Sequence, residues 1–144
     1  MKCRYKHCKL GGEVEKDAAI KVGSAYYHKE CYEEKEYKKQ IEKTYYDIFQ
    51  NNEPIQAVRR AINKYVNKDN YELKYILFVL NEDIKLNSMF RLIYYLRNEK
   101  FKNKYNIEKA KLIKMNTEKV KTADSNNIKF KPKKKKGWGD IICQ

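Results

Sequence analysis

Tyr26-Tyr27-His28-Lys29-Glu30-Cys31 is the stretch on which the reading of this 144-residue chain turns. Upstream stand Cys3 and Cys8, which completes a set of donors in the order Cys3-x4-Cys8-x19-His28-x2-Cys31. A short loop brings Cys3 and Cys8 together. His28 and Cys31, on the first turn of a helix, project from one side of it because residues three apart are neighbours there. Residues 18–22 and 25–28 are strand candidates around Gly23-Ser24, which reads as a hairpin turn, and this hairpin folds the two donor pairs toward each other. Three thiolates and an imidazole at tetrahedral corners suit Zn2+, the expected cofactor. Its binding supplies stability that a thin core cannot.

This arrangement resembles a treble-clef zinc finger, and in particular one zinc-binding half of a LIM domain. The resemblance covers residues 1 to about 35 and rests on Cys3, Cys8, the run Tyr26-Tyr27-His28, and Cys31. The spacer between the first two cysteines holds four residues where the family usually has two, and the second LIM half is missing. His7, adjacent to Cys8, is a rival ligand. Cys143 has no partner nearby in sequence and reads as a free thiol. A catalytic zinc keeps one position open for water, whereas four protein donors close the shell. Glu30 reads as a solvated first-turn carboxylate rather than a general base. Treble clefts in ββα-metal nucleases use a hairpin histidine to activate water, but here that histidine is already a ligand. The expectation is a protein without catalysis.

Beyond Cys31 the pattern turns helical. Tyr37, Ile41, Tyr45, Ile48 and Phe49 recur at three- and four-residue steps, which predicts a helix from about 28–31 to about Phe49. Asn52-Glu53-Pro54 reads as a second helix start, with Asn52 as the cap and Ile55, Val58, Ala61, Ile62, Tyr65 and Val66 on one face. A third helix is expected over about 70–85, with Leu73, Ile76, Leu77, Leu80 and Ile84 as its apolar face. Asn87-Ser88 restarts a fourth through Met89, Leu92, Ile93 and Leu96 toward Phe101. A break near 102–106 precedes a polar helix ending near Met115. Asn116 to Asn127 reads as polar and unfolded. The predicted fold class is therefore mainly α with a small N-terminal β-hairpin. It has three parts: a finger with hairpin and long helix over 1–50, a small helical bundle over 51–115, and a flexible basic tail over 116–144.

The chain carries 33 Lys+Arg against 19 Asp+Glu, a net charge of +14. Residues 1–50 hold 11 basic and 9 acidic residues, 51–115 hold 14 and 7, and 116–144 hold 8 and 3. The excess thus lies beyond the finger. Two explanations compete. A+T-rich coding over-supplies Lys, Asn, Ile and Tyr, and 28 of the 33 basic residues are Lys. Alternatively the charge meets phosphate. The candidate nucleic-acid contacts are Arg59 and Arg60, the helical Arg97, Lys100, Lys102, Lys104, Lys111 and Lys114, and Lys133, Lys134, Lys135 and Lys136 of the charge block. The aromatics Tyr71, Tyr75, Phe78, Phe90, Tyr94 and Tyr95 either complete a core or offer surface for stacking on bases.

The helical part is similar to the C-terminal helical domain of DnaD-type replication and primosome proteins, through Tyr/Ile-rich helices such as Tyr71 to Leu80 and Leu92 to Leu96 followed by a basic polar tail. With the small size and the finger, this looks like an accessory protein of a phage or mobile element acting in replication, recombination or transcription. The competing expectation is an adapter or inhibitor of a host enzyme or defence complex, with the helical surface and the tail residues Trp138, Ile141 and Ile142 as the partner-binding elements. No run of about 18 apolar residues and no apolar signal core are present, so a cytoplasmic protein is expected. In that reducing compartment cysteines serve as ligands or free thiols.

Overall fold

A computed structural model describes residues 1–125 of the chain. Its elements are strands β1 (Ile20–Val22) and β2 (Ala25–Tyr27), helices α1 (Lys29–Phe49), α2 (Ile55–Asn67) and α3 (Leu73–Leu80), a 3-10 turn (Met89–Arg91) running into α4 (Leu92–Leu96), and α5 (Glu99–Ser125). Met1–Tyr105 is one compact unit, and the chain from Asn106 belongs to a second. Among the described residues no helix is long and apolar enough to cross a membrane.

The hairpin forms as the sequence predicts. β1 and β2 are antiparallel, with Ile20 opposite Tyr27 and Val22 opposite Ala25. Gly23 opens the two-residue turn at φ 61°, a left-handed conformation that glycine adopts without a Cβ clash. The N-terminal strand of chain is tied to this hairpin. Cys3 bridges to Tyr26 and Lys2 to Glu13, and Arg4 N–H donates to the Tyr26 carbonyl at 2.9 Å.

The bundle is built on helical periodicity. α2 buries Val58, Ala61, Ile62 and Tyr65, an i, i+3, i+4, i+7 set. They meet Ile41 and Tyr45 of α1, Tyr75, Ile76, Val79 and Leu80 of α3, and Met89, Leu92 and Leu96. Ile76 and Leu92 are fully buried, and truncating either to Ala removes roughly 2–5 kcal/mol. Much of the core is tyrosine, and each buried hydroxyl finds an acceptor. Tyr65 donates to the Met89 carbonyl at 2.7 Å, and Tyr75 to the Leu96 carbonyl at 3.0 Å. Satisfied hydroxyls let a polar-tipped ring sit in a core without a desolvation cost.

One carboxylate joins three elements. Glu53 accepts from the Tyr45 hydroxyl at 2.5 Å, the Ser88 hydroxyl at 2.8 Å and the Met89 N–H at 2.8 Å. It ties the end of α1 and the entry to α2 to the turn before α4.

Several expected boundaries differ. Asn52 does not cap α2; Pro54 stands at the cap position without a side-chain cap, and the Asn51 Oδ1 accepts from Glu53 N–H at 3.3 Å. α3 ends at Leu80 instead of 85, because the Asn81 side chain donates to the Leu77 carbonyl at 2.8 Å and stops the helix. Ile84 is buried all the same, from the following loop. α4 ends at Leu96 and does not reach Phe101. The Asn98 Oδ1 accepts from Lys100 N–H at 2.9 Å and starts α5. No break occurs at 102–106, and α5 continues past Met115 to Ser125, through residues read as polar and unfolded.

Candidate metal centre

Three elements converge on one point. The loop after Met1 carries Cys3 and Cys8, the residue before α1 is His28, and the first turn of α1 carries Cys31. Their ligand atoms all lie within 4.8 Å of one another. The Cys8 sulfur is 3.5 Å and the Cys31 sulfur 3.7 Å from His28 Nδ1. An ion with metal–sulfur bonds of about 2.3 Å and a metal–nitrogen bond of about 2.0 Å places those atoms about 3.5 Å apart at tetrahedral angles. The donor set therefore fits a tetrahedral metal ion. The three thiols are free, with no disulfide among them.

The surroundings favour the thiolate at Cys3 and Cys8 and oppose it at Cys31. Cys3 N–H donates to the Gly12 carbonyl at 2.7 Å, and Cys8 N–H to the Tyr5 carbonyl at 3.1 Å, which folds the Cys3–Cys8 loop back on itself. The N–H groups of Leu10 and Gly12 donate to the Cys8 sulfur and, against burial, hold its pKa down at about 7. Gly12 reaches this position at φ 75°. Burial pushes the Cys3 thiol up, yet the backbone N–H groups of Tyr5 and His28 outweigh it and leave the value lowered. Cys31 is the buried member. Burial and the neighbouring Cys8 and Cys3 sulfurs push its thiol up to about 12. Burial disfavours the His28 imidazolium, but the Cys3 sulfur and the Glu13 carbonyl raise its pKa on balance. Backbone donors aimed at sulfur are the outer support that orients metal ligands.

His7 stands outside this cluster. Its ring packs edge-on against Tyr5 at 5.7 Å, and burial together with Lys38 and Lys6 lowers its pKa. It lines a cavity of about 190 Å³ between the Cys3–Cys8 loop, α1 and α2, with Lys35, Lys38 and Arg59 on the wall. On that wall the Tyr5 hydroxyl donates to Glu34 at 2.8 Å and accepts from Lys38 at 2.8 Å. The signal for this coupling in the sequence is the Glu34/Lys38 spacing of four on one helix, which says nothing of Tyr5.

The expected phosphate contacts divide into paired and unpaired residues. Arg59 holds Glu42 through two hydrogen bonds of 2.9 and 3.1 Å. Lys104 holds Glu82 at 2.6 Å and Lys102 holds Glu99 at 3.1 Å. Arg60, Arg97, Lys100, Lys111 and Lys114 are exposed and make no ion pair among the described residues. Glu30 is exposed. Lys133, Lys134, Lys135, Lys136, Trp138, Ile141, Ile142 and Cys143 lie outside the described residues. Of the six central aromatics, Tyr71, Tyr75, Phe78 and Tyr95 belong to the core or pack against it, whereas Phe90 and Tyr94 are exposed. Comparison with protein family models, with curated proteins and with solved structures finds no match, so the site is read from its own geometry.

Proposed function

We propose that this chain is a zinc-stabilised, non-catalytic nucleic-acid-binding protein. The observation that carries the zinc half is the Cys3–Cys8–His28–Cys31 cluster, all within 4.8 Å. Three thiolates and one imidazole in a closed tetrahedral set are the donors of a structural zinc site and leave no corner for a reacting water. The order of parts is that of a treble clef: a short two-cysteine loop, a hairpin, and a helix whose first turn brings the last ligand. Zinc here fixes the loop and hairpin against α1.

The nucleic-acid half rests on charge that the fold leaves unspent. Ion pairs occupy Arg59, Lys102 and Lys104, while Arg60, Arg97, Lys100, Lys111 and Lys114 stay exposed in a chain of net charge +14. Binding through phosphates releases counterions, so affinity falls as a power of salt concentration. The test is a titration of the zinc-loaded chain with labelled DNA and RNA over a range of salt. A steep fall of affinity with salt supports the reading; no binding to either at low salt overturns it.

A further inference from the structure

The outer side of the segment Met89–Arg97 departs from what a surface helix ordinarily carries. The 3-10 turn and α4 form one continuous helical run, closed by Arg97 N–H donating to the Ile93 carbonyl at 3.0 Å. Its inner side is Met89, Leu92 and Leu96, all fully buried. At 100° per residue the opposite side holds Phe90 and Tyr94, spaced i, i+4, with Arg91 on one flank and Arg97 on the other. Phe90 is 43% and Tyr94 72% exposed. They are the only two exposed aromatic side chains among the described residues.

Nothing in the fold accounts for them. The tyrosines Tyr45, Tyr65, Tyr75 and Tyr95 each place their hydroxyl on an acceptor. Tyr94 has no such partner, and neither Phe90 nor Tyr94 contacts another ring, among the described residues. A scattered exposed apolar residue needs no explanation, but two aromatic rings on consecutive turns beside two guanidinium groups do. Arg91 and Arg97 are exposed and make no ion pair among the described residues. The nearest following carboxylate, Glu99, is taken by Lys102. The two are also the informative kind of basic residue. Coding bias over-supplies lysine, whereas the whole chain has five arginines, Arg4, Arg59, Arg60, Arg91 and Arg97.

We infer that Phe90, Arg91, Tyr94 and Arg97 form a stacking site for single-stranded nucleic acid, an inference that rests on the nucleic-acid reading above and narrows it. The chemistry selects the occupant. Ring faces stack on bases only when those bases are unpaired, because a duplex hides them. Side chains i and i+4 leave the helix about 5–6 Å apart at Cβ, which gives each ring its own base. The guanidinium groups flank the rings, supply the counter-charge for the connecting phosphates, and can stack in their turn. The segment Met89–Arg97 itself contains no carboxylate, in keeping with binding to a polyanion.

The experiment uses the full-length, zinc-loaded chain. Anisotropy titrations with labelled oligothymidine, oligouridine and a duplex of equal length compare wild type with Phe90→Ala, Tyr94→Ala, Tyr94→Phe and Arg97→Gln. Thermal melts of each variant check that the exposed substitutions leave the fold intact. Tyr94→Ala and Phe90→Ala are expected to weaken single-strand binding roughly five- to a hundredfold while duplex binding stays as in wild type. Tyr94→Phe is expected to bind as wild type, because the ring face and not the hydroxyl makes the contact. Arg97→Gln should lower the salt slope by about one. The oligothymidine and oligouridine arms separate DNA from RNA as the preferred strand. Wild-type binding with no response to Tyr94→Ala, or an equal loss on duplex and single strand, overturns the stacking site and leaves the general reading standing. Absence of wild-type binding to every probe overturns both.

Discussion

Nε2 of His28 donates to the backbone carbonyl of Glu13 at 2.7 Å. A carbonyl can only accept, so the proton sits on Nε2 and Nδ1 is left with its lone pair, facing the Cys8 and Cys31 sulfurs. The main chain at Glu13, ahead of the hairpin, thus chooses the tautomer that ligates through Nδ1. Titration with Co2+ should give one equivalent of a species with the intense visible absorption of a tetrahedral thiolate site. His28→Ala should weaken metal binding by more than the roughly 10–100-fold that follows loss of an outer-shell partner. Glu13→Ala should leave it unchanged, because only the main chain of that residue is used. Weak absorption typical of an octahedral ion, or a second equivalent, would contradict the assigned set.

Metal removal should dismantle one part of the unit and spare the other. Among the described residues, the buried hydrophobic side chains outside the bundle cluster are Val14, Tyr27 and Cys31. Such a core is too thin to hold the Cys3–Cys8 loop and the hairpin, whereas structural zinc contributes about 10–16 kcal/mol in small fingers. The bundle keeps its own core of Ile41, Tyr65, Ile76, Leu92 and their neighbours. After treatment with a chelator, hydrogen exchange should accelerate at Cys3, Arg4, Cys8 and Tyr26, while amides of α2 and α3 remain protected. Uniform loss of protection would mean that the bundle depends on the metal as well.

Acid should eject the metal, and the sign follows from the ligands. In the metal-free site Cys31 is held protonated at neutral pH, burial and the Cys8 and Cys3 sulfurs having pushed it up to about 12. His28 is raised, so its imidazolium competes with the metal over a wider range than an ordinary histidine. Each proton displaced on binding makes apparent affinity rise with pH. Competition against a chromophoric chelator between about pH 6 and 8 should show affinity rising by at least about one decade per pH unit. A flat profile would exclude Cys31 as a thiolate ligand.

The metal cluster was legible because its information is local: four donors, a turn dipeptide and a helix start, each read from adjacent residues. The faces of α2 and of Met89–Leu96 were legible for the same reason, since an apolar stripe at helical spacing has few other uses. What escaped depends on which group wins a backbone partner. Asn81 ends α3 by donating to Leu77, yet Ile84 still falls in phase with the helix and is buried from a loop, so periodicity overran the boundary. Arg59, read as a phosphate contact, also holds Glu42, distant in sequence on α1, through two of its N–H donors, a pairing that no local pattern announces. Phe90 and Tyr94 share their composition with Tyr75 and Tyr95, and only packing separates the two pairs.

Tyr5 should contribute to the join between the Cys3–Cys8 loop and α1. Its hydroxyl bridges Glu34 and Lys38, which also touch each other at 2.7 Å. Burial and the Glu34 carboxylate raise the phenol pKa, so it stays protonated and donates across the accessible pH range. Tyr5→Phe leaves the ion pair in place and removes two hydrogen bonds, and about 1–2 kcal/mol of stability should go with them. A urea melt of the metal-loaded chain measures this. No change in midpoint would show that the Glu34–Lys38 pair alone carries the contact.

Glu53 should be the carboxylate whose loss is felt most in the bundle. Three donors point at it, from Tyr45, Ser88 and Met89. A glutamine of the same shape can keep its carbonyl oxygen for the Tyr45 hydroxyl and the Met89 N–H, but it turns an N–H₂ toward Ser88, whose hydroxyl must reverse to accept, and every bond loses the assistance of the carboxylate charge. Glu53→Gln should therefore cost about 1–3 kcal/mol. Burial alone would raise the Glu53 pKa, but the Tyr45 hydroxyl, the Met89 N–H and the Ser88 hydroxyl outweigh it and hold the value below that of an ordinary carboxylate. A group whose pKa is depressed in the fold stabilises above its unfolded value of about 4.3, and that stability is lost as pH falls through the folded value. The difference in melting temperature between wild type and Glu53→Gln should accordingly be full at neutral pH and narrow below about pH 4. Taking the difference at each pH cancels the acid release of metal, which both proteins share. A gap that stays constant into acid would show that Glu53 acts through its shape and not through its charge.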